Sequence, residues 1–285
     1  MPIAPINGIA LYYEMHGTGS LPLVLVHGFA CGIRSWDFQT TALARGRRVV
    51  AYDVRGHGLS EAPCEAAAYS QPTSVADLHG LLTHLRIRRA AVAGLSMGGN
   101  IALNYALAHP ETVRALVIAD TGAGSDETAI WNATVHDLAG ALERGGGEAF
   151  ADAACANPLF ARYVAQGPEQ ERFIRACLMT HRAHGIAHTA REVLAKRPTV
   201  YALEPGLRRL RVPTLLMVGE HDEPCRKVHD FMARTIPGAR SVVFPGLGHL
   251  TPLEAPALFN RTVGRFLAAV PSPGGRGRRR AQRVS

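Results

Sequence analysis

The pentapeptide Gly94-Leu95-Ser96-Met97-Gly98 follows the apolar run Ala90-Ala91-Val92-Ala93 and precedes Gly99-Asn100-Ile101-Ala102-Leu103, where a helical stretch begins. A serine between two glycines at such a strand-to-helix junction requires a tight turn. The turn forces the serine into an unfavourable backbone conformation, and the glycines let strand and helix approach closely. The helix starts just past Ser96. Its unpaired amides and positive dipole end therefore point at any oxyanion formed there.

The surrounding pattern extends this strand–helix unit in both directions. Ile9–Glu14, Leu21–Val26 and Arg48–Asp53 read as strands, and the third runs into the turn Val54-Arg55-Gly56-His57-Gly58-Leu59-Ser60. Thr73 or Ser74 is expected to cap a helix with apolar positions Val75, Leu78, Leu81, Leu82 and Leu85. The elbow helix runs to Ala108, where Pro110 stops it, and Val113–Asp120 is the next strand. Alternating strands and helices argue for a mainly parallel sheet covered on both faces.

From about residue 124 to 205 no strand is legible. Helical segments Glu127–Leu142 and Gln170–His184 flank the glycine run Gly145-Gly146-Gly147. Alternation resumes at Val212–Val218, a helix near Val228–Arg234, the strand Ser241–Phe244 and a last helix from Pro256 to Ala269. The expected organisation is a first core part at 1–123, a helical cap at 124–205 and a second core part at 206–272. A helical insert in an α/β unit is expected to cover the carboxyl edge of the sheet, where ligands bind.

A serine hydroxyl needs a base to take its proton, and the base needs an orienting partner. Among 13 histidines, His249 stands out, in Pro245-Gly246-Leu247-Gly248-His249-Leu250 directly after the last strand. Asp222 follows the preceding strand in Gly219-Glu220-His221-Asp222. Loops from parallel strands of one sheet converge at its shared carboxyl edge. Asp120, at the end of an earlier strand, is the alternative acid.

These motifs resemble the α/β-hydrolase superfamily over residues 5–270. His27-Gly28, the Asp53-to-Ser60 turn, the elbow and the late Asp and His loops stand in its order. The elbow is similar to those of small carboxylesterases, enol-lactone hydrolases and cofactor-free haloperoxidases. The resemblance implies a doubly wound, mostly parallel sheet of about eight strands, with a helical lid inserted after the sixth. It implies Ser96, Asp222 and His249 as nucleophile, acid and base, and the amides of Phe29 and Met97 as an oxyanion hole. His27 and His57 match family histidines that tie loops together.

The implied activity is hydrolysis of a small ester or lactone without metal or cofactor. The same constellation also serves carbon–carbon bond hydrolases, a lyase branch and ligand-binding receptors. Trp36, Trp131 and Leu250 are candidate pocket residues. Arg162, Arg172 and Arg182 read as a solvated face, with one of them as an alternative holder of a substrate carboxylate. His181, His184 and His188 are spaced along one helix face, but Gly185 is expected to interrupt that helix and no carboxylate accompanies them, which argues against a metal there.

Composition narrows the class further. The chain has 285 residues, 47% hydrophobic and 19% charged, which is enough for a large core. Its five cysteines are odd in number and widely spaced, which disfavours a disulfide framework. Cys31 lies close to the expected site and reads as a small buried apolar residue, with reaction toward thiol reagents as the alternative. The net charge of +8 includes Arg276, Arg278, Arg279, Arg280 and Arg283, and removing these five leaves +3. Residues 273–285 thus read as a disordered basic tail rather than a nucleic-acid surface. No apolar run spans a bilayer and no signal core opens the chain, so a cytoplasmic monomer or homodimer is expected.

Overall fold

A computed structural model describes residues 2–270. The basic tail expected at 273–285 lies outside the described residues, as do the last two positions of the 206–272 core part.

The eight strands are β1 (Ile3–Ile6), β2 (Ile9–His16), β3 (Leu23–Val26), β4 (Val49–Tyr52), β5 (Ala90–Leu95), β6 (Val113–Ala119), β7 (Thr214–Gly219) and β8 (Arg240–Phe244). They form one sheet in the order β1-β2-β4-β3-β5-β6-β7-β8. β2 pairs antiparallel with both β1 and β4, and every later pair is parallel. β1 is absent from the sequence reading. Asn7-Gly8 turns it back onto β2, with positive φ at both residues.

Side chains alternate across the sheet and sort into two cores. Val24, Val26, Val50, Val92, Leu116 and Leu216 face one core, with α2 (Gln71–His84), α3 (Met97–Ala108) and α9 (Glu223–Thr235). Leu23, Leu25, Ala51, Ala93, Val117 and Met217 face the other, with α1 (Asp37–Leu43) and α11 (Pro256–Ala268). Burial on both faces explains why the central strands read as unbroken apolar runs.

Three local expectations are corrected. α2 begins earlier than expected, because Ser70 is its cap and accepts from the Thr73 amide at 3.1 Å. The helix expected over Gln170–His184 is two, α6 (Pro168–Leu178) and α7 (Ala183–His188). Gly185 does not interrupt α7 but lies inside it. A Cβ there would stand 2.5 Å from the Gly56 carbonyl oxygen, so the glycine serves close packing.

Between β6 and β7 the described chain is helical. α4 (Thr128–Ala156) breaks at Gly146, where φ is 70°. α5 (Pro158–Val164), α6, α7, a π-helical turn at Thr189–Leu194 and α8 (Glu204–Leu207) follow. A short α10 (Thr251–Glu254) leads into α11. Among the described residues, no helix is long and apolar enough to cross a membrane.

Candidate active site

Ser96 sits between β5 and α3 with φ 54° and ψ −113°, a strained conformation for a residue with a side chain. The neighbouring glycines make this turn possible. A Cβ on Gly94 would drive into the Gly98 carbonyl, one on Gly98 into the Val26 carbonyl, and one on Gly99 into Thr121. The Ser96 amide donates to Ala119 O at 2.9 Å, which locks the turn to the end of β6.

His249 Nε2 lies 2.9 Å from Ser96 Oγ. On its other side, His249 Nδ1 lies 2.9 Å from Asp222 Oδ2. A carboxylate can only accept, so Nδ1–H donates to Asp222 and Nε2 is free to accept the Ser96 hydroxyl proton. Asp222 and His249 are almost fully buried. The parallel strands β5, β7 and β8 end at the same edge, and their following loops bring these three side chains together.

Among the described residues, Asp120 makes no hydrogen bond to His249. Its Oδ1 accepts from the Gly219 amide at 3.1 Å, and its Oδ2 accepts from the Thr251 amide at 3.2 Å and the Thr251 hydroxyl at 2.5 Å. It thus ties the end of β7 to the chain just past His249. Burial and the neighbouring Asp222 raise its carboxyl well above the usual range.

The loop after β3 stands beside the serine, where a Cβ on Gly28 would lie 3.6 Å from Ser96 Cβ. Phe29 lines the cavity over Ser96. Met97 is buried as the first residue of α3, a position whose amide has no acceptor within the helix. His27 Nε2 accepts from the Val54 amide at 2.9 Å, and its Nδ1 donates to Gly28 O at 2.7 Å. This pattern requires a neutral ring, and burial pulls its pKa down to about 3. In the Asp53-to-Ser60 turn, Asp53 accepts from the amides of Ile33 at 2.7 Å and Leu59 at 2.9 Å. His57 Nδ1 donates to Arg55 O at 3.1 Å within the same turn.

The cavity at Ser96 is small, about 30 Å³. The segment between β6 and β7 supplies Trp131, Val135, Leu138, Phe160 and Leu194 from helical turns and Arg197 from the bend that follows them, and Leu250 joins them from the His249 loop. Trp131 is fixed by Nε1–H donating to Leu194 O at 3.1 Å. Trp36 is a correction. It is buried against Phe259, ring centroids 6.1 Å apart, and is not among the cavity-lining residues, because its short helix turns the ring toward α11. Cys31 lines the cavity, but burial pushes its thiol far above the ordinary range, which leaves it a poor nucleophile.

Arg162, Arg172 and Arg182 also fall outside the cavity. Arg162 donates to Gly246 O at 2.8 and 3.0 Å, and the other two are exposed. Arg197, which the sequence reading did not single out, is the arginine on the cavity wall. Its only local mark was its place just before Pro198 at the end of the helical segment.

His181, His184 and His188 do not converge on a common point. Their Nε2 atoms donate to Ala30 O at 2.8 Å, Ala62 O at 2.8 Å and Cys64 O at 3.0 Å, which pins the helical segment to the core. Among the described residues, Asp222, Cys225 and His249 are the one tight His/Cys/Asp/Glu group with metal-like spacing. Both His249 nitrogens are already engaged there, and burial holds the Cys225 thiol protonated. The group therefore fits proton relay better than metal ligation.

A family profile described as alpha/beta hydrolase fold matches residues 22–256. The chain belongs to this family of hydrolases. It is similar to 2-hydroxymuconate semialdehyde hydrolase of Pseudomonas sp. (strain CF600), 31% identical over 275 residues, which cover 90% of each protein. The crystal structure of the enol-lactonase from Burkholderia xenovorans LB400 superposes with a TM-score of 0.82 at 29% identity, covering 94% of this chain and all of that one. A thermophilic esterase from Thermogutta terrifontis, solved with malate bound, gives 0.82 at 30% identity, covering 93% and 95%.

Proposed function

We propose that this protein is a serine hydrolase that cleaves a small carboxylic ester or lactone through an acyl-enzyme on Ser96. The observation that carries the reading is the unbroken relay from Ser96 Oγ through His249 to Asp222, with both contacts at 2.9 Å. His249 takes the Ser96 proton as the oxygen attacks the carbonyl. Asp222 holds the ring in the required tautomer and stabilises the imidazolium. The Phe29 and Met97 amides receive the oxyanion, each donor lowering the barrier by about 3 kcal/mol. His249 then protonates the leaving oxygen and activates the water that releases the acid.

Ser96→Ala removes the nucleophile and keeps the fold. Turnover of p-nitrophenyl esters and of simple lactones is expected to fall by about three orders of magnitude or more. Near-normal hydrolysis by this variant would falsify the reading. Likeness to the Pseudomonas semialdehyde hydrolase supports a second reading, carbon–carbon bond hydrolysis on the same residues. Consumption of a dienone-type ring-cleavage product, followed by loss of its visible absorbance, with esters untouched, selects that one.

A further inference from the structure

Arg197 shares the cavity wall with Ser96 and His249. Its Nη2 donates to Ala123 O at 2.9 Å, and its guanidinium carbon stands 5.6 Å from the centroid of the Trp131 ring. Nη1 is shielded from solvent and has no hydrogen-bond partner among the described residues. No described carboxylate lies within ion-pair distance of this guanidinium. By contrast, Arg175 pairs with Asp152 and Glu171, and Arg191 pairs with Glu143. Burial without a counter-charge pulls the Arg197 pKa down to about 10, and the group remains a cation at neutral pH.

A half-buried cation with a shielded, unpartnered donor is costly to fold around unless something else meets it. The planar fork of a guanidinium matches a carboxylate, and a desolvated, charge-assisted contact of that kind is strong. The remaining wall is mostly apolar and includes Phe29, Trp131, Val135, Leu138 and Phe160. We infer that the substrate is an ester or lactone carrying a carboxylate, which Arg197 receives through Nη1 while the scissile carbonyl sits at Ser96. The inference rests on the ester or lactone reading and narrows it to anionic substrates held by an apolar spacer.

The test compares two esters with one leaving group, mono-p-nitrophenyl glutarate (anionic) and p-nitrophenyl butyrate (neutral). In Arg197→Gln, the ratio of kcat/KM for the anionic ester over the neutral one is expected to drop by about 10- to 100-fold. The loss should fall mainly on KM, and Arg197→Lys should return part of it. Glutarate should inhibit the wild-type enzyme competitively, and uncharged glutaramide should not. This arm decides the matter even if the variants fail to fold. An unchanged ratio, with both esters falling in parallel, marks Arg197 as structural and overturns the inference. So does equal inhibition by the two compounds, or by neither. In those cases Ser96-dependent cleavage of the neutral ester keeps the ester reading intact. If wild type cleaves neither ester and a fluorophosphonate leaves Ser96 unlabelled, the ester reading fails and takes the inference with it.

Discussion

At the scale of single residues, two kinds of constraint meet around the serine. Ser96 is held at positive φ by glycines whose missing side chains make room for neighbouring carbonyls. That geometry was readable from five consecutive letters because it is local. His27 is a constraint of another kind. Its ring bridges the Val54 amide and the Gly28 carbonyl, and burial keeps it neutral with a pKa near 3. The unfolded chain protonates this ring near 6.5. The stability from neutral His27 is therefore complete above about pH 6.5 and is lost as pH falls toward the folded value. The difference in unfolding free energy between wild type and His27→Asn should shrink by about 2 kcal/mol from pH 7.5 to pH 5. Urea denaturation at the two pH values measures it, and a pH-independent difference would mean the ring is not held neutral.

At the scale of elements, the segment between β6 and β7 is held to the core by side chains that reach backbone carbonyls, besides the exposed Lys227–Asp126 pair. Three histidines reach from α7 and its flanks to carbonyls at 30, 62 and 64, and Gly185 lies against Gly56. The histidine spacing was visible in the chain, but its partners lie more than a hundred residues away. Periodicity alone could therefore not tell a docking face from a metal face. Gly185→Ala adds a Cβ at the Gly56 carbonyl and should lift α7 off the core. The expected result is faster tryptic cleavage within residues 157–200, with a stability loss of about 1–3 kcal/mol, typical of overpacking. Cleavage at the wild-type rate would show that this contact does not hold the segment. The cavity beneath holds about 30 Å³, room for a water or two.

At the scale of the whole molecule, a buried ion pair adds to the β2–β4 ladder that joins the antiparallel β1–β2 hairpin to the parallel sheet. Arg55 meets Asp77 through Nε at 2.8 Å and Nη2 at 2.9 Å, and its Nη2 also reaches Asn7 O at 3.2 Å. Asn7 Nδ2 donates to Asp77 Oδ1 at 3.0 Å. The cluster joins the β1–β2 turn, the loop after β4 and α2. Asp77→Ala strands a buried guanidinium, with an expected cost of about 3–5 kcal/mol. Equilibrium unfolding in urea checks it, and a loss below 1 kcal/mol would show that water or rearrangement takes over the pairing.

What the amino-acid order determined by itself is whatever short-range sterics and periodicity encode. That covers the elbow, the central strands, and the Ser–Asp–His order on loops that parallel strands must deliver to one edge. The tertiary structure alone decided which side chains share an enclosed space. It turned Trp36 onto Phe259, spent three histidines on carbonyls, and left Arg197 rather than Arg162, Arg172 or Arg182 on the wall of the serine's cavity. Those outcomes depend on how helices pack over the sheet, and packing between distant segments leaves no local signature in the chain.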